Sequence, residues 1–397
     1  MDSLPLEISL NIFSRLPFVS LIYCKRVSKS WRALLKHPRF PYLQKAFHDF
    51  QNNLCLILHC SSTCSPHDHI FIVNSCSHLS DPDEHWKDIM DINVPLQNYK
   101  FNSIVNCNGL LFLSYIESDN IMMHNKGCVY NILAAKLTNL PNSPTFFKEF
   151  KVAYGFGFHP RTKEYKVVRI VEQECVSYDF GRFELSLDQT IEVFTLGTYA
   201  WRTKRNNPFL LQMQPSEALV NGALHWLGQA KLSHSQLILS FNLENEGFYQ
   251  IPSPNCRFDM LQSHLLLLGG CLSLTVHTDK SNIDIWLMKN YGIQGSWTKK
   301  FTINSGSLSL GSIRPLFLLS NGKVLIEYAK QGLFLYDTNK KTTKKINLGD
   351  FPYYFQAVPH VKPINSVRGL GTHSKQVELG GDWEERQAEL VEAIMVL

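Results

Sequence analysis

Eight potential metal ligands crowd residues 55–78: Cys55, His59, Cys60, Cys64, His67, His69, Cys76 and His78. Cysteine thiolates and neutral imidazoles are the usual ligands of zinc, so chemistry is sought here first. The spacing argues against a site. Cys60-x3-Cys64 and His67-x-His69 fit no paired-knuckle pattern, and Cys55 and His59 fall in an apolar strand-like run, LCLILHC. Free cysteines in such runs are ordinary core residues. No metal and no other cofactor are expected.

Catalytic motifs are missing as well. No GxSxG elbow occurs, and GSLSLG at 306–311 has the wrong spacing. There is no GxxxxGK[ST] phosphate loop and no HExxH. GFGF at 155–158 lacks the third glycine of a dinucleotide loop and reads as a strand before a turn. His225-Trp226 and Asp284-x-Trp286 read as strand residues, and Trp201, Trp226, Trp286 and Trp297 as packing residues rather than platforms for nucleobases. An enzyme is not expected.

Bulk properties narrow the class. The chain has 397 residues, 44% of them hydrophobic, which suits two or three domains or one large repeat domain. No window approaches 18 consecutive apolar residues, so no membrane span is expected. A basic n-region before a long apolar core is missing, as is any Asn-x-Ser/Thr acceptor, so a secretory leader is not expected. Ten scattered cysteines without a CxxC pair read as reduced thiols of a cytoplasmic or nuclear protein. The charge is uneven. Residues 1–50 hold eight Lys/Arg and three Asp/Glu, whereas the other 347 residues hold 31 of each. Dispersed over helices, that excess fits a solvated face or an acidic protein partner better than nucleic acid.

The N-terminal segment, LPLEISLNIFSRLPFVSLIYCKRVSKSW, is apolar on too many sides. Leu4, Ile8, Ile12 and Leu16 recur every four residues as one helical stripe, and Leu6, Leu10 and Phe13 make a second. A free-standing amphipathic helix needs one apolar face. Pro5 suits the first helical turn, Leu16-Pro17 ends that helix, Ser20 can cap a second, and Ser28 or Ser30 a third carrying Trp31, Leu34 and Leu35. Three short helices make too small a core to stand alone without a metal, a disulfide or a partner. No metal spacing occurs here, so a partner is expected.

Leu4-Pro5-x-Glu7-Ile8, Ile12-x-x-Arg15-Leu16-Pro17, Leu21 and Val27-Ser28-Lys29-Ser30-Trp31-Arg32 resemble the F-box. The resemblance implies a trihelical module that docks on a Skp-type adaptor, which joins a cullin scaffold carrying a RING protein and a ubiquitin-conjugating enzyme. It implies that Leu4, Pro5, Ile8, Ile12, Leu16 and Pro17 contact the adaptor, with Leu21, Val27 and Trp31 shaping or extending that surface. Val19, Tyr23 and Arg26 stand where plant members often carry other residues.

After Phe50 the texture changes to short β-rich runs between Gly, Asn, Pro and Asp. One unit recurs, and its marker aromatics Phe71, Tyr130, Phe194, Phe241, Trp286 and Tyr336 lie 59, 64, 47, 45 and 50 residues apart. A period near 50 with about four strands per unit is that of a kelch propeller. Asn108-Gly109, Asn221-Gly222 and Asn321-Gly322 are hairpin-turn dipeptides at similar places in their units. YGFGFHPRTKEYKVVRIV, SEALVNGALHWL, LSFNLENEGFYQIPSP and IDIWLMKNYGIQGSW resemble the F-box-associated domain of plant F-box/kelch proteins, which implies a substrate-holding domain.

The expected fold is mainly β: an N-terminal trihelical F-box over 1–47, a kelch-like β-propeller over 48–365, and a tail over 366–397. Six blades are predicted; the first unit is poor, and the ring could close with a blade shared between the chain ends. Trp383, Leu390, Val391, Ile394 and Leu397 mark either a frayed tail or a short docking helix. The expected function is the substrate-recognition subunit of an SCF-type ubiquitin ligase, binding a Skp-type adaptor and an unknown protein target, without nucleic acid or membrane. Two alternatives remain open at this point: an F-box propeller that binds a glycan or small ligand, and a kelch-type metalloenzyme with a helical cap.

Overall fold

In the computed structural model three short helices precede a ring of six small sheets. The structure describes residues 4–16, 18–35, 55–61, 68–74, 89–92, 94–96, 100–118, 123–132, 135–145, 151–179, 182–204, 207–278, 282–304, 313–319, 321–328, 332–348 and 355–360. The tail over 366–397 and the residues Pro17, Cys64, His67, Cys76 and His78 lie outside the described residues.

Helix α1 spans Leu6–Ser14, α2 Phe18–Val27 and α3 Lys29–Leu35. Pro5 precedes α1, and its carbonyl accepts the Ser9 N–H at 3.0 Å, so its missing donor costs nothing there. Ser28 caps α3: its Oγ accepts the Trp31 N–H at 3.1 Å. Ser20 is not a cap, because α2 begins two residues earlier at Phe18. Leu10, Phe13, Leu21 and Leu35 form a small buried core, with Trp31 set edge-on to Phe13 at a 4.8 Å centroid distance.

The ring begins with β1 (Cys55–Cys60), β2 (His69–Asn74) and β3 (Ile89–Ile92). The second blade holds β4 (Phe101–Cys107), β5 (Leu110–Ser118), β6 (Met123–Asn131) and β7 (Lys136–Asn139). The third holds β8 (Lys151–His159), β9 (Glu164–Asp179), β10 (Arg182–Thr195) and β11 (Arg202–Lys204). In the fourth the inner strand is broken into β12 (Phe209–Leu211) and β13 (Leu219–Val220), both paired with β14 (Ala223–Ala230), followed by β15 (Gln236–Asn242) and β16 (Phe248–Ile251). The fifth holds β17 (Leu265–Leu268), β18 (Cys271–His277), β19 (Asn282–Met288) and β20 (Trp297–Asn304). The sixth holds β21 (Ile313–Leu318), β22 (Lys323–Tyr328), β23 (Gly332–Asp337) and β24 (Thr342–Lys345). The last strand, β25 (Phe355–His360), pairs antiparallel with β1 and takes the inner place of the first blade. The poor first unit is thus explained, because its inner strand comes from the far end of the chain.

Burial falls from hub to rim. Residues 223–228 of β14 are all buried, whereas all four residues of β24 are exposed. Apolar second strands therefore pack on both faces, and Lys-bearing fourth strands such as β20 and β24 guard the rim. The six marker aromatics all fall on the third strand of their blades. The GFGF segment is strand β8, and its glycines have a steric reason. A Cβ on Gly155 would sit 2.7 Å from the Trp226 ring, and one on Gly157 would sit 2.8 Å from Leu243. Trp297 Nε1 donates to the Pro252 carbonyl at 2.6 Å, joining the outer strand of the fifth blade to the connection entering that blade.

Two titrating groups, buried His225 and half-buried Glu246, give the ring an acid limit. His225 Nδ1 lies 3.0 Å from the Ala218 carbonyl and Nε2 2.8 Å from the Tyr291 hydroxyl, and burial pushes its pKa down to about 4. Burial opposes ionisation of Glu246, but hydrogen bonds from Arg202 and Lys166 outweigh it and hold the carboxyl at about 2. Both shifts are downward, so the unfolded chain binds more protons and acid favours it. Stability should fall by about 3 kcal/mol from His225 between pH 6.5 and 4, and further from Glu246 below pH 4.5. Urea unfolding at pH 7, 5.5, 4 and 2.5 checks this: H225Q should flatten the loss between pH 7 and 4, and E246Q only that below pH 4.5. An unchanged slope in H225Q would contradict the assignment.

Candidate functional site

The described face with the densest exposed apolar surface is helical. Five of the twelve exposed large hydrophobic side chains, Leu4, Leu6, Ile8, Tyr23 and Val27, belong to residues 4–27. A concentration of this kind marks an interaction surface. Leu4 is 40% exposed and Ile8 49%, Pro5 beside them is exposed, and Ile12 and Leu16 are half-buried. One helical stripe therefore runs from open surface at its N-terminal end to partial cover at Leu16. The second stripe turns inward at Leu10 and Phe13 but not at Leu6, which is 51% exposed.

The other sequence-derived positions divide. Leu21 has no exposed surface and lies in the small core with Leu10, Phe13 and Leu35, beneath the stripe. Trp31 is half-buried against Phe13. Val27 is exposed at the end of α2, one turn from Tyr23. Sequence reasoning passed over Leu6 and Tyr23. Leu6 belongs to the inward stripe by spacing, but it stands at the helix start, before that stripe reaches the core.

The back of the helical unit is fixed to the ring. Ile22 of α2 is buried in a cluster with Ile57, Ile70 and Ile132. Lys25 Nζ donates to the Ile132 carbonyl at 2.9 Å, and burial, then the neighbouring Arg26 and Arg32, lower its pKa. Arg15, Arg26, Lys29 and Arg32 are exposed around the helices. Both apolar sides of the segment are thereby accounted for: α2 grips the propeller and the start of α1 faces outward.

Strand alternation then defines two faces of the ring. The turns joining first to second strands, such as Asn108-Gly109 and Asn221-Gly222, are tight and have positive φ. Ile132 N–H bonds to the Gly109 carbonyl, so the helices sit on this tight-turn face. The turns between second and third strands, and the connections between blades, run on the opposite face.

The described members of the cysteine–histidine cluster, Cys55, His59, Cys60 and His69, do not converge as a ligand set. His59 Nε2 lies 2.7 Å from Asp68 Oδ2, which also accepts the Phe101 N–H at 2.7 Å. Burial opposes ionisation of Asp68, and these bonds reverse that, so its pKa is lowered. Cys55 and Cys60 are buried in β1, and burial, then Asp68 and Asp91, push the Cys60 thiol up to about 12. His69 stacks on Phe71 and lies 3.6 Å from Asp91. Among the described residues no three His, Cys, Asp or Glu side chains come together as a metal site. No described helix is long and apolar enough to cross a membrane.

Residues 1–43 match the family described as the F-box domain, and residues 58–369 match the F-box associated beta propeller domain. The chain is 30% identical to F-box protein At3g07870 of Arabidopsis thaliana, covering 92% of each chain. It is 26% identical to F-box protein CPR1 of the same plant, over 90% of this chain and 87% of the relative. Identity to the F-box/kelch-repeat protein At3g23880, also of Arabidopsis thaliana, is 27% over 84% and 88%.

Proposed function

The chain belongs to the plant F-box proteins with an F-box-associated propeller domain, and from that membership we propose that it is the substrate-recognition subunit of an SCF-type cullin–RING ubiquitin ligase. The observation that carries this reading is the outward stripe of Leu4, Pro5 and Ile8 on a helical unit whose other side is fixed to the ring. An apolar helix face of this kind lies in a groove of a partner. Here the partner is a Skp-type adaptor, and the exposed Arg15, Arg26, Lys29 and Arg32 favour an acidic surface around that groove.

The chain makes no bond itself. One end binds the adaptor and the propeller holds a target protein, so a target lysine meets the charged conjugating enzyme at raised effective concentration. The helices occupy the tight-turn face, which leaves the opposite face and its interblade connections to select the target. The described cysteines, none of them in a disulfide, suit a reducing compartment, the cytoplasm or nucleus.

Reconstitution tests the reading. With adaptor, cullin, RING protein and charged conjugating enzyme present, the chain itself should acquire ubiquitin. The chain with conjugating enzyme alone should transfer none. Ubiquitin transfer by the chain alone, or none in the complete mixture despite adaptor binding, would contradict the proposal.

A further inference from the structure

The second and third blades enclose a charged group that their shared core leaves incomplete. Tyr154 of β8, Arg169 of β9 and Glu192 of β10 are cross-strand partners and lie in one row. Tyr154 packs in the cluster that also holds Phe112 of β5 and Leu140. Arg169 is 1% exposed. Its Nη1 donates to Glu192 Oε2 at 2.6 Å, to Thr145 Oγ1 at 2.6 Å and to Ser143 Oγ at 2.7 Å. Its Nε and Nη2 are buried and have no hydrogen-bond partner among the described residues. Those two N–H groups share one edge of the guanidinium plane and form a fork that takes oxygen side-on. Buried donors without partners are costly, so the fork points to an acceptor.

Arg169 lines a cleft of about 270 Å³ that lies between the two blades and opens to solvent. Among the described residues its walls are Phe112, Leu140, Tyr154 and Trp201, and the exposed Asn142 stands at its mouth. Trp201 is held there by its Nε1, which donates to the Pro141 carbonyl at 2.8 Å. Burial raises the pKa of Tyr154 against the opposing pull of Arg169 beside it, so that wall stays neutral. Gly127 also lines the cleft, and a Cβ there would sit 2.9 Å from the Phe112 ring, so no side chain intrudes from β6. Its cross-strand partner Ser114 has a buried Oγ that likewise has no hydrogen-bond partner among the described residues. Alternation along β5 puts Ser114 on the same face as Phe112. Each blade therefore brings one unmet polar group to the same interblade space.

Charge selects the occupant. Glu192 already balances Arg169, and their side chains are 0% and 1% exposed. Lys126, the other described cation lining the cleft, is balanced by Glu117 at 3.0 Å. An anion would enter as an uncompensated buried charge, whereas a neutral oxygen meets the fork without that penalty. The apolar walls suit a short methylene stem behind the polar group, and a backbone carbonyl has no such stem. We propose that this cleft binds a primary carboxamide, with its oxygen on the Arg169 Nε–Nη2 fork and its NH2 toward Ser114 Oγ. The group is carried by an Asn or Gln side chain of a bound protein or by a small free amide.

The test uses the full chain with propionamide and propionate, which match in shape and differ in charge. Saturation-transfer NMR should show the amide binding about fivefold more tightly or better, with loss in R169K. The lysine keeps a charge opposite Glu192 and removes the fork, and thermal unfolding shows whether that variant is folded. A crystal of the unmodified chain soaked in propionamide reads the site directly, whether or not R169K folds. The amide oxygen should lie within hydrogen-bond distance of both Nε and Nη2 of Arg169. Blocked Ala-Gln-Ala and Ala-Glu-Ala peptides separate the sources. A Gln peptide that binds about tenfold more tightly than propionamide, with the Glu peptide weaker, assigns the group to a protein, and no gain over propionamide assigns it to a free amide. Equal or tighter binding of propionate, full binding by a folded R169K, or a soaked crystal whose fork holds only water would each overturn the proposal.

Discussion

Replacing Leu4, Pro5 and Ile8 together by alanine should weaken binding to a Skp-type adaptor by roughly 30–150-fold and leave the fold in place. The two aliphatic side chains stand 40% and 49% exposed, so truncation removes little that the free chain buries. In a complex the exposed half of each would be covered, at a gain of about 1–1.5 kcal/mol apiece. Together that is about 2–3 kcal/mol, or roughly a factor of 30–150 in Kd. Leu10→Ala supplies the contrast. Leu10 is 1% exposed in a core with only three other fully buried members, so its truncation should cost about 2–5 kcal/mol of local stability. If the helical unit were an internal cap of the propeller, the triple variant would instead lose stability and the adaptor would be indifferent to it. Adaptor titration and thermal unfolding of both variants separate the two cases.

The second large effect is expected at Arg314. Its Nη1 donates to Glu217 of the fourth blade at 2.6 Å, and its Nη2 to Glu327 of the sixth at 2.5 Å and to the Ala357 carbonyl of β25. Glu327 in turn accepts the Ala357 N–H at 2.7 Å. Both backbone groups of one residue in the closing strand are thus held by one buried ion pair. Burial opposes the guanidinium charge, and Glu217 and Glu327 more than restore it, so the pKa of Arg314 is raised. Arg314→Met strands the carboxylate of Glu327, whose side chain is 4% exposed. A broken buried pair costs about 3–5 kcal/mol. At about 2 °C per kcal/mol, the lower end of the range as befits a larger domain, the midpoint should fall by roughly 6–10 °C. Amide exchange should accelerate first at 355–360, and the double variant R314M/E327Q should recover part of the loss. A midpoint within a degree or two of the unmodified chain would show that β25 is held by strand pairing alone.

Much of this architecture was legible before any coordinates, and the reasons are local. Asn108-Gly109 and Asn221-Gly222 both adopt the positive φ that a tight hairpin needs, as their residue types demand. Asn321-Gly322 has positive φ only at the glycine. The six marker aromatics found their third strands because each blade repeats the same packing problem. What escaped is non-local. The sequence allowed a blade shared between the chain ends, but the register that pairs Cys55 with His360 leaves no trace in any short window. The break between β12 and β13 and the length of β9 and β10 follow from neighbours in space rather than from periodicity. The helices show the same division. Ile8 and Leu10 are both apolar and two residues apart, and only the packed core tells which one faces out.

Calorimetric titration of the intact chain with a purified Skp-type adaptor tests the central claim most directly. The account predicts one-to-one binding at micromolar Kd or tighter, driven by burial of apolar surface and therefore with a negative heat-capacity change. No heat of binding from a chain that unfolds cooperatively would contradict it, and α1 would then have to be read as part of the propeller's own structure.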